Sequence, residues 1–111
     1  MATDCLFCKI IAGEIPSKKA AETENVLAFH DITPQAPTHV LVIHKQHTAS
    51  LSDTTDEALL GQWMAGVRDV ARQLNLSDYR VIVNNGPQAG QSVFHLHAHI
   101  LAGRPLAWPP G

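Results

Sequence analysis

Residues 91–101 read QSVFHLHAHIL, and the alternation inside that stretch constrains the fold more than any other feature of the chain. His95, His97 and His99 occupy every second position, with Leu96, Ala98 and Ile100 between and after them. Successive side chains of a β-strand point to opposite faces, so this spacing predicts a strand with three imidazoles on one face and apolar core on the other. The apolar set runs from Phe94 to Leu101, and Gly103 and Pro105 stop it. A lone histidine such as His30 or His44 reads as a satisfied, half-buried side chain. Three in register do not, because each neutral imidazole needs both a donor and an acceptor satisfied. One functional reading is a metal cage, since His-x-His on a strand presents two ligands to zinc, iron or copper. Alternate side chains start about 6.6 Å apart along a strand, however, so three on one ion require a bent strand. No carboxylate follows the histidines to complete a facial triad.

With 111 residues and 45% hydrophobic content, the chain reads as a single domain over residues 1–111, large enough for a core and small enough to favour an oligomer. Eight basic and ten acidic residues give a formal charge of −2 with no basic run, so general electrostatic binding to nucleic acid or membrane is not expected. The start, MATDCLFCKI, lacks the basic and apolar regions of a secretory signal, and no stretch reaches transmembrane length; a cytoplasmic location is expected.

The remaining elements follow from period and punctuation. DCLFCKIIAGEIP reads as a short helix ending near Gly13, before Pro16. KKAAETENVLAFHDI reads as two strands around a turn at Glu24 and Asn25, and THVLVIHKQH as a third, with Val40, Val42 and His44 alternating against Leu41 and Ile43. TPQAPT between them is a proline-punctuated loop. Residues 56–76 carry an apolar stripe of Leu59, Leu60, Trp63, Met64, Val67, Val70, Ala71 and Leu74, with cap candidates between Ser52 and Asp56, which predicts the long helix. Trp63 and Met64 read as core or subunit contact, and Arg68 and Arg72 as a solvated face. YRVIVNN and FHLHAHIL supply the last two strands. The fold class is therefore α+β: an antiparallel five-stranded sheet with one long and one short helix.

Ahead of the histidines, NNGPQAGQS places Gly86, Gly90, Gln91 and Ser92 where backbone N–H groups can approach an anion. Anion donors beside a neutral nitrogen nucleophile describe a phosphoryl-transfer site, where catalysis is largely positioning and charge stabilisation.

HLHAHIL resembles the His-x-His-x-His signature of the histidine triad (HIT) superfamily. FCKIIAGEIPS, LAFHDITPQAPTHVLVI, GQSVFHLHAHILAGRP and the terminal WPPG are similar to its Hint branch over nearly the whole chain. The resemblance implies the HIT-like fold and a homodimer that binds purine nucleoside monophosphates such as AMP and GMP. It further implies hydrolysis of nucleoside phosphoramidates, AMP-lysine among them, through a nucleotidyl-histidine intermediate. Carried over, it makes His97 the nucleophile, held in one tautomer by a backbone carbonyl of its own strand. His99 and Ser92 would meet the phosphate or leaving group, the Gln91 N–H would be an oxyanion donor beside Gly90, and His39 would join the proton network. Asp31 would accept from the ribose hydroxyls, Asn84 would support sugar and phosphate, and Phe7, Ile11, Phe29 and Ile32 would line the base pocket. Trp108 would reach the partner subunit's site.

Cys5 and Cys8 form C-x-x-C, which in a cytoplasmic chain favours a metal or redox role over a structural disulfide. The seven histidines could complete four ligands. Some HIT relatives, galactose-1-phosphate uridylyltransferases and Hint-like bacterial proteins among them, pair such cysteines with positions that correspond here to His47 and His95, implying a structural zinc. Two departures stand out: His44 where a proline is usual, and Pro87 in a loop that is normally more polar. The resemblance leaves two functional readings, a phosphoramidate hydrolase or a nucleotide-binding interaction protein with incidental turnover. His99 replaces the glutamine of the transferases, and WPPG departs from the diadenosine-polyphosphate hydrolases.

Overall fold

The computed structural model describes residues 4–111. Helix α1 (Leu6–Ile11) is followed by β1 (Lys19–Glu22), β2 (Val26–His30), β3 (Thr38–His44), the long helix α2 (Glu57–Gln73), β4 (Arg80–Ile82) and β5 (His97–Ala102). All five strands form one antiparallel sheet in the order β1-β2-β3-β5-β4. The α+β class and the five-stranded antiparallel sheet expected from the sequence are therefore present, but the histidine strand is internal: β4 lies outside it at the edge.

Two cores divide the sheet. On one face Val26, Ala28, Val40, Val42, Ala98 and Ile100 pack under α2 through Leu59, Trp63, Val67, Val70 and Ala71. Trp63 is buried with its indole N–H on the Val42 carbonyl at 3.1 Å, so its polar atom is satisfied inside the core. Met64, at the edge of the expected stripe, is exposed. Asp56 caps α2, its carboxylate accepting from the N–H groups of Ala58 and Leu59. Gly66 is where α2 approaches the sheet most closely: a β-carbon there would lie 2.5 and 2.7 Å from the two γ-carbons of buried Val26. Gly66→Ala, which in an open helix would gain about 1 kcal/mol, should here cost about 1–3 kcal/mol through overpacking, measurable by urea unfolding.

On the other face Leu27, Phe29, Leu41 and Ile43 pack against Phe7 of α1. Register places Leu41 opposite His99 and Ile43 opposite His97, so both histidines share this α1-side face. The alternation read from the sequence thus segregates two environments, with Ala98 and Ile100 in the α2 core and the imidazoles across the sheet.

Candidate active site and metal centre

A cavity of about 460 Å³ opens on the α1 face. Of the residues singled out from the sequence, Phe7, Phe29, Asp31, Ile32, Asn84, Gly90, Ser92, His97 and His99 line it. Its size is in the range of small-molecule sites. A larger cleft of about 680 Å³ lies at the other end of the sheet, between the turn after α2 and residues 102–106, and contains no histidine.

His97 is buried, with Phe7 edge-on to its ring at 5.2 Å. Its Nδ1–H donates to the His95 carbonyl at 2.7 Å, which fixes the tautomer and leaves Nε2 as an unprotonated nitrogen. Burial pushes its pKa below the usual histidine value, against the opposing effects of that hydrogen bond and of Asp31, so the ring is held in its nucleophilic form. His99 stands beside it, ring centroids 5.3 Å apart. Burial, together with the neighbouring His97 and His39, brings the His99 pKa down to about 4.

His39 lies behind His99 rather than on the cavity wall. Its Nδ1 accepts from the Gln35 N–H at 3.0 Å, so its proton sits on Nε2, which faces His99 Nδ1 at 2.9 Å. That bond in turn places the His99 proton on Nε2. Asp31, His39 and His99 together offer a 2-His-1-carboxylate set assembled in space. The Gln35 N–H argues against a metal there, because the His39 nitrogen facing the cluster is the one bearing hydrogen. His39 and His99 form a hydrogen-bonded pair instead, with the Asp31 carboxylate beside it. Asp31 divides its carboxylate: Oδ1 accepts from the Thr33 N–H at 2.8 Å and hydroxyl at 3.1 Å, while Oδ2 lies 3.5 Å from His39 Nε2.

Three expected residues take other positions. The Gln91 N–H donates to the Gly86 carbonyl at 3.1 Å, closing the loop on itself, so it is not a free oxyanion donor in this conformation. The Gln91 side chain braces that loop, accepting from the Gly86 N–H at 2.9 Å and donating to the carbonyls of Ala49 and Val93 at 2.8 and 3.1 Å. Ile11 packs into the α1-side core, while Ile10, a residue the sequence reading passed over, lines the cavity with Leu6 and Val93. Trp108 is 82% exposed and does not line the cavity of its own chain.

The second cluster lies at the amino end of the histidine row. His95, fully buried, donates its Nε2–H to the His44 carbonyl at 2.8 Å. Its Nδ1 therefore presents a lone pair to Cys5 Sγ at 3.3 Å, Cys8 Sγ at 3.5 Å and His47 Nδ1 at 3.2 Å, with His47 Nδ1 also 3.4 Å from Cys8 Sγ. A tetrahedral zinc with bonds of about 2.0–2.3 Å has ligand-to-ligand edges of about 3.3–3.8 Å, so these separations fit. The chemistry of the donors fits as well. Burial, the Cys5 hydrogen bond and the charge of Cys5 push the Cys8 thiol up to about 11, so that a neighbouring cation would be needed to hold it as a thiolate near neutral pH. Burial first, and the neighbouring histidines, bring His95 down to about 4 and keep it in the neutral, ligating form. The carbonyl behind its far nitrogen is the usual outer partner of a metal-bound histidine.

Both sequence departures have local explanations. His44 is buried on the α2 side, its Nε2–H on Gln62 Oε1 at 2.9 Å and its Nδ1 accepting from the Gln46 N–H at 2.9 Å, so no polar atom is orphaned. Pro87 opens a short 3-10 turn, where its missing N–H costs nothing.

Comparison with known proteins agrees with this geometry. The HIT domain family model matches residues 12–106. A HIT-like protein of Synechocystis sp. is 50% identical over 114 residues, covering all of both chains. The 14 kDa zinc-binding protein of Zea mays is 46% identical over 96% of this chain and 87% of its own length. Adenylylsulfatase HINT1 of Arabidopsis thaliana is 42% identical over 96% of this chain and 76% of its own. The crystal structure of a HIT family hydrolase from Legionella pneumophila superposes with a TM-score of 0.90 at 46% identity, over 97% of this chain and 100% of that one. The chain belongs to the HIT domain family.

Proposed function

We propose that the protein is a hydrolase of purine nucleoside 5′-phosphoramidates that works through a nucleotidyl-histidine intermediate on His97. The observation that carries this reading is the fixed tautomer: a buried imidazole on the cavity wall, its proton tied to a backbone carbonyl and its other nitrogen free. Similarity to a HIT family hydrolase and to an adenylylsulfatase supports it.

In the first step the His97 Nε2 forms a bond to the α-phosphorus as the phosphorus–nitrogen bond to the amine breaks, and the departing amine takes one proton from solvent. In the second, water attacks the phosphorus, loses a proton to solvent, and releases nucleoside monophosphate with His97 restored. The neutral Nε2–H of His99 donates to the charge that builds on the phosphoryl group, assisted by the Ser92 hydroxyl and the Asn84 amide. Phe7, Phe29, Ile32 and Ile10 provide an apolar wall for the purine. An assay with fluorogenic adenosine and guanosine phosphoramidates tests the reading: release of amine is expected for both, whereas AMP binding without turnover would favour a nucleotide-binding interaction protein.

The Oδ2 of Asp31, which has only the 3.5 Å contact with His39 Nε2, would accept from the ribose hydroxyls, while Oδ1 holds the turn at Thr33. Asp31→Asn keeps an acceptor for that turn and removes the charge. It should weaken AMP binding about tenfold more than binding of 2′-deoxy-AMP, read by calorimetric titration. Equal losses would assign Asp31 to the turn alone.

We further propose that Cys5, Cys8, His47 and His95 hold a structural zinc ion, a reading supported by similarity to a zinc-binding protein. With all four positions filled by protein, such an ion ties α1 to the sheet and takes no part in the phosphoryl chemistry. The exposed Trp108 fits a homodimer in which each carboxyl terminus reaches the other subunit's cavity.

A further inference from the structure

Arg104 follows β5 on the surface, outside the cavity wall, yet its hydrogen bonds among the described residues all go to backbone. Its Nε and Nη2 both donate to the Gln35 carbonyl, at 3.0 and 2.9 Å, and its Nη1 donates to the Pro105 carbonyl at 3.0 Å. Two charged donors on one carbonyl make a stiff fork. Gln35 is also held through its side chain, whose Nε2 donates to the Thr33 carbonyl at 3.0 Å. The same residue supplies the N–H on His39 Nδ1. Gly103 provides the close approach that makes the fork possible. It has φ +98°, and a β-carbon there would lie 2.8 Å from Pro37 Cβ, so the loop of residues 31–37 rests directly on the glycine.

We propose that Arg104 is a positioning residue: by clamping the Gln35 carbonyl it holds the Gln35 N–H on His39, and so sets which nitrogen bears the proton in both His39 and His99. The inference rests on the hydrolase reading for its consequence in catalysis, but not for its structural content. With the clamp in place, His39 keeps its proton on Nε2 and donates to His99 Nδ1, and His99 keeps its own proton on Nε2 for the substrate. An imidazolium at His99 would set an N–H against an N–H at the 2.9 Å contact, so the clamp also holds His99 as a neutral donor. Released from Gln35, His39 can exchange tautomers, and His99 loses a single defined donor. Leaving atoms that pick up a proton from solvent readily, such as amine nitrogen, suit a site of this kind.

The test uses full-length protein with 15N-labelled histidine rings. Long-range 1H–15N spectra of the wild type should show His39 and His99 protonated at Nε2 and His97 at Nδ1. In Arg104→Met, His39 and His99 should become tautomer mixtures while His97, anchored to the His95 carbonyl, stays unchanged. Arg104→Lys, which keeps one charged donor, should recover most of the wild-type pattern, and Gly103→Ala, which lifts Pro37, should reproduce the Arg104→Met spectrum. The kcat for an adenosine phosphoramidate should fall about tenfold in Arg104→Met with KM within about twofold, since misplaced donors cost rate more than binding. An unchanged His39 tautomer in Arg104→Met, or a His97 signal that shifts as far as that of His39, would overturn the proposal. Wild-type protein with the expected tautomers but no phosphoramidate turnover would uphold the clamp and refute the hydrolase reading.

Discussion

His97→Asn should lower kcat for adenosine phosphoramidates by about 10⁴-fold or more while changing the affinity for AMP only a few-fold. Asparagine is the informative choice because its amide can replace the Nδ1–H on the His95 carbonyl, a 2.7 Å hydrogen bond inside the protein, and so preserve the local backbone. Alanine would leave that carbonyl unpaired and remove the ring that Phe7 packs against, mixing a folding cost with the chemical one. Steady-state kinetics with released amine as the readout, beside calorimetric AMP titration, separates the two effects. Retention of more than about a tenth of wild-type turnover would move the nucleophile elsewhere.

The second large effect concerns the metal centre. His47→Ala should reduce zinc from about one ion per chain to a small fraction and lower the melting temperature by about 10 °C or more, because binding to a closed site is coupled to folding. His47 suits this test because its Nδ1 faces Cys8 and His95, and it does not line the cavity. Turnover at 25 °C should stay within about threefold of wild type, since α1 still covers the apolar wall through Phe7. Elemental analysis and thermal unfolding together decide it: zinc unchanged in the variant, or absent from wild type purified without chelators, would return Cys5 and Cys8 to ordinary half-buried thiols. Cysteine placement adds a local reason for loss of order, because Cys5 Sγ also caps α1 by accepting from the Cys8 N–H at 3.3 Å.

Period carried most of the fold. The stripe on α2 and the alternation in β3 and β5 specify which faces pack together, and both cores follow those patterns. Boundaries were less legible: the strand read over residues 94–101 begins only at His97, because Leu96 bonds to the Thr48 carbonyl at 2.7 Å and the chain at His95 bends toward the cysteines. That bend resolves the difficulty of placing three alternating histidines on one centre. His95 faces Cys5, Cys8 and His47, while His97 and His99 line the cavity. The carboxylate missing from the sequence neighbourhood of the histidines is Asp31, brought in by the β2–β3 connection, and spacing along the chain gives no sign of it.

Backbone groups account for what the sequence reading passed over. The Gln91 N–H was expected to face an anion, but the positive φ of Gly86 and Gly90 folds the loop so that this N–H returns to Gly86. Gln35 acts on His39 and Arg104 through its N–H and carbonyl, which any residue but proline offers equally, and its side chain only braces its own turn on the Thr33 carbonyl. Arg104 falls inside the GQSVFHLHAHILAGRP segment, but neither its residue type nor its spacing assigns it a role. Ile10 and Ile11 are adjacent apolar residues on a six-residue helix, too short for period alone to assign the inward face.

The most direct test of the central claim is capture of the covalent intermediate. Wild-type protein should be mixed with an adenosine phosphoramidate, quenched within milliseconds into alkaline denaturant, and measured by intact mass spectrometry with peptide mapping. The expected result is a transient gain of one adenylyl group per chain, on the peptide containing His97 and on the nitrogen of that residue, absent from His97→Asn. Turnover with no adduct at any quench time, or an adduct on His99 or Ser92 that persists in His97→Asn, would contradict it.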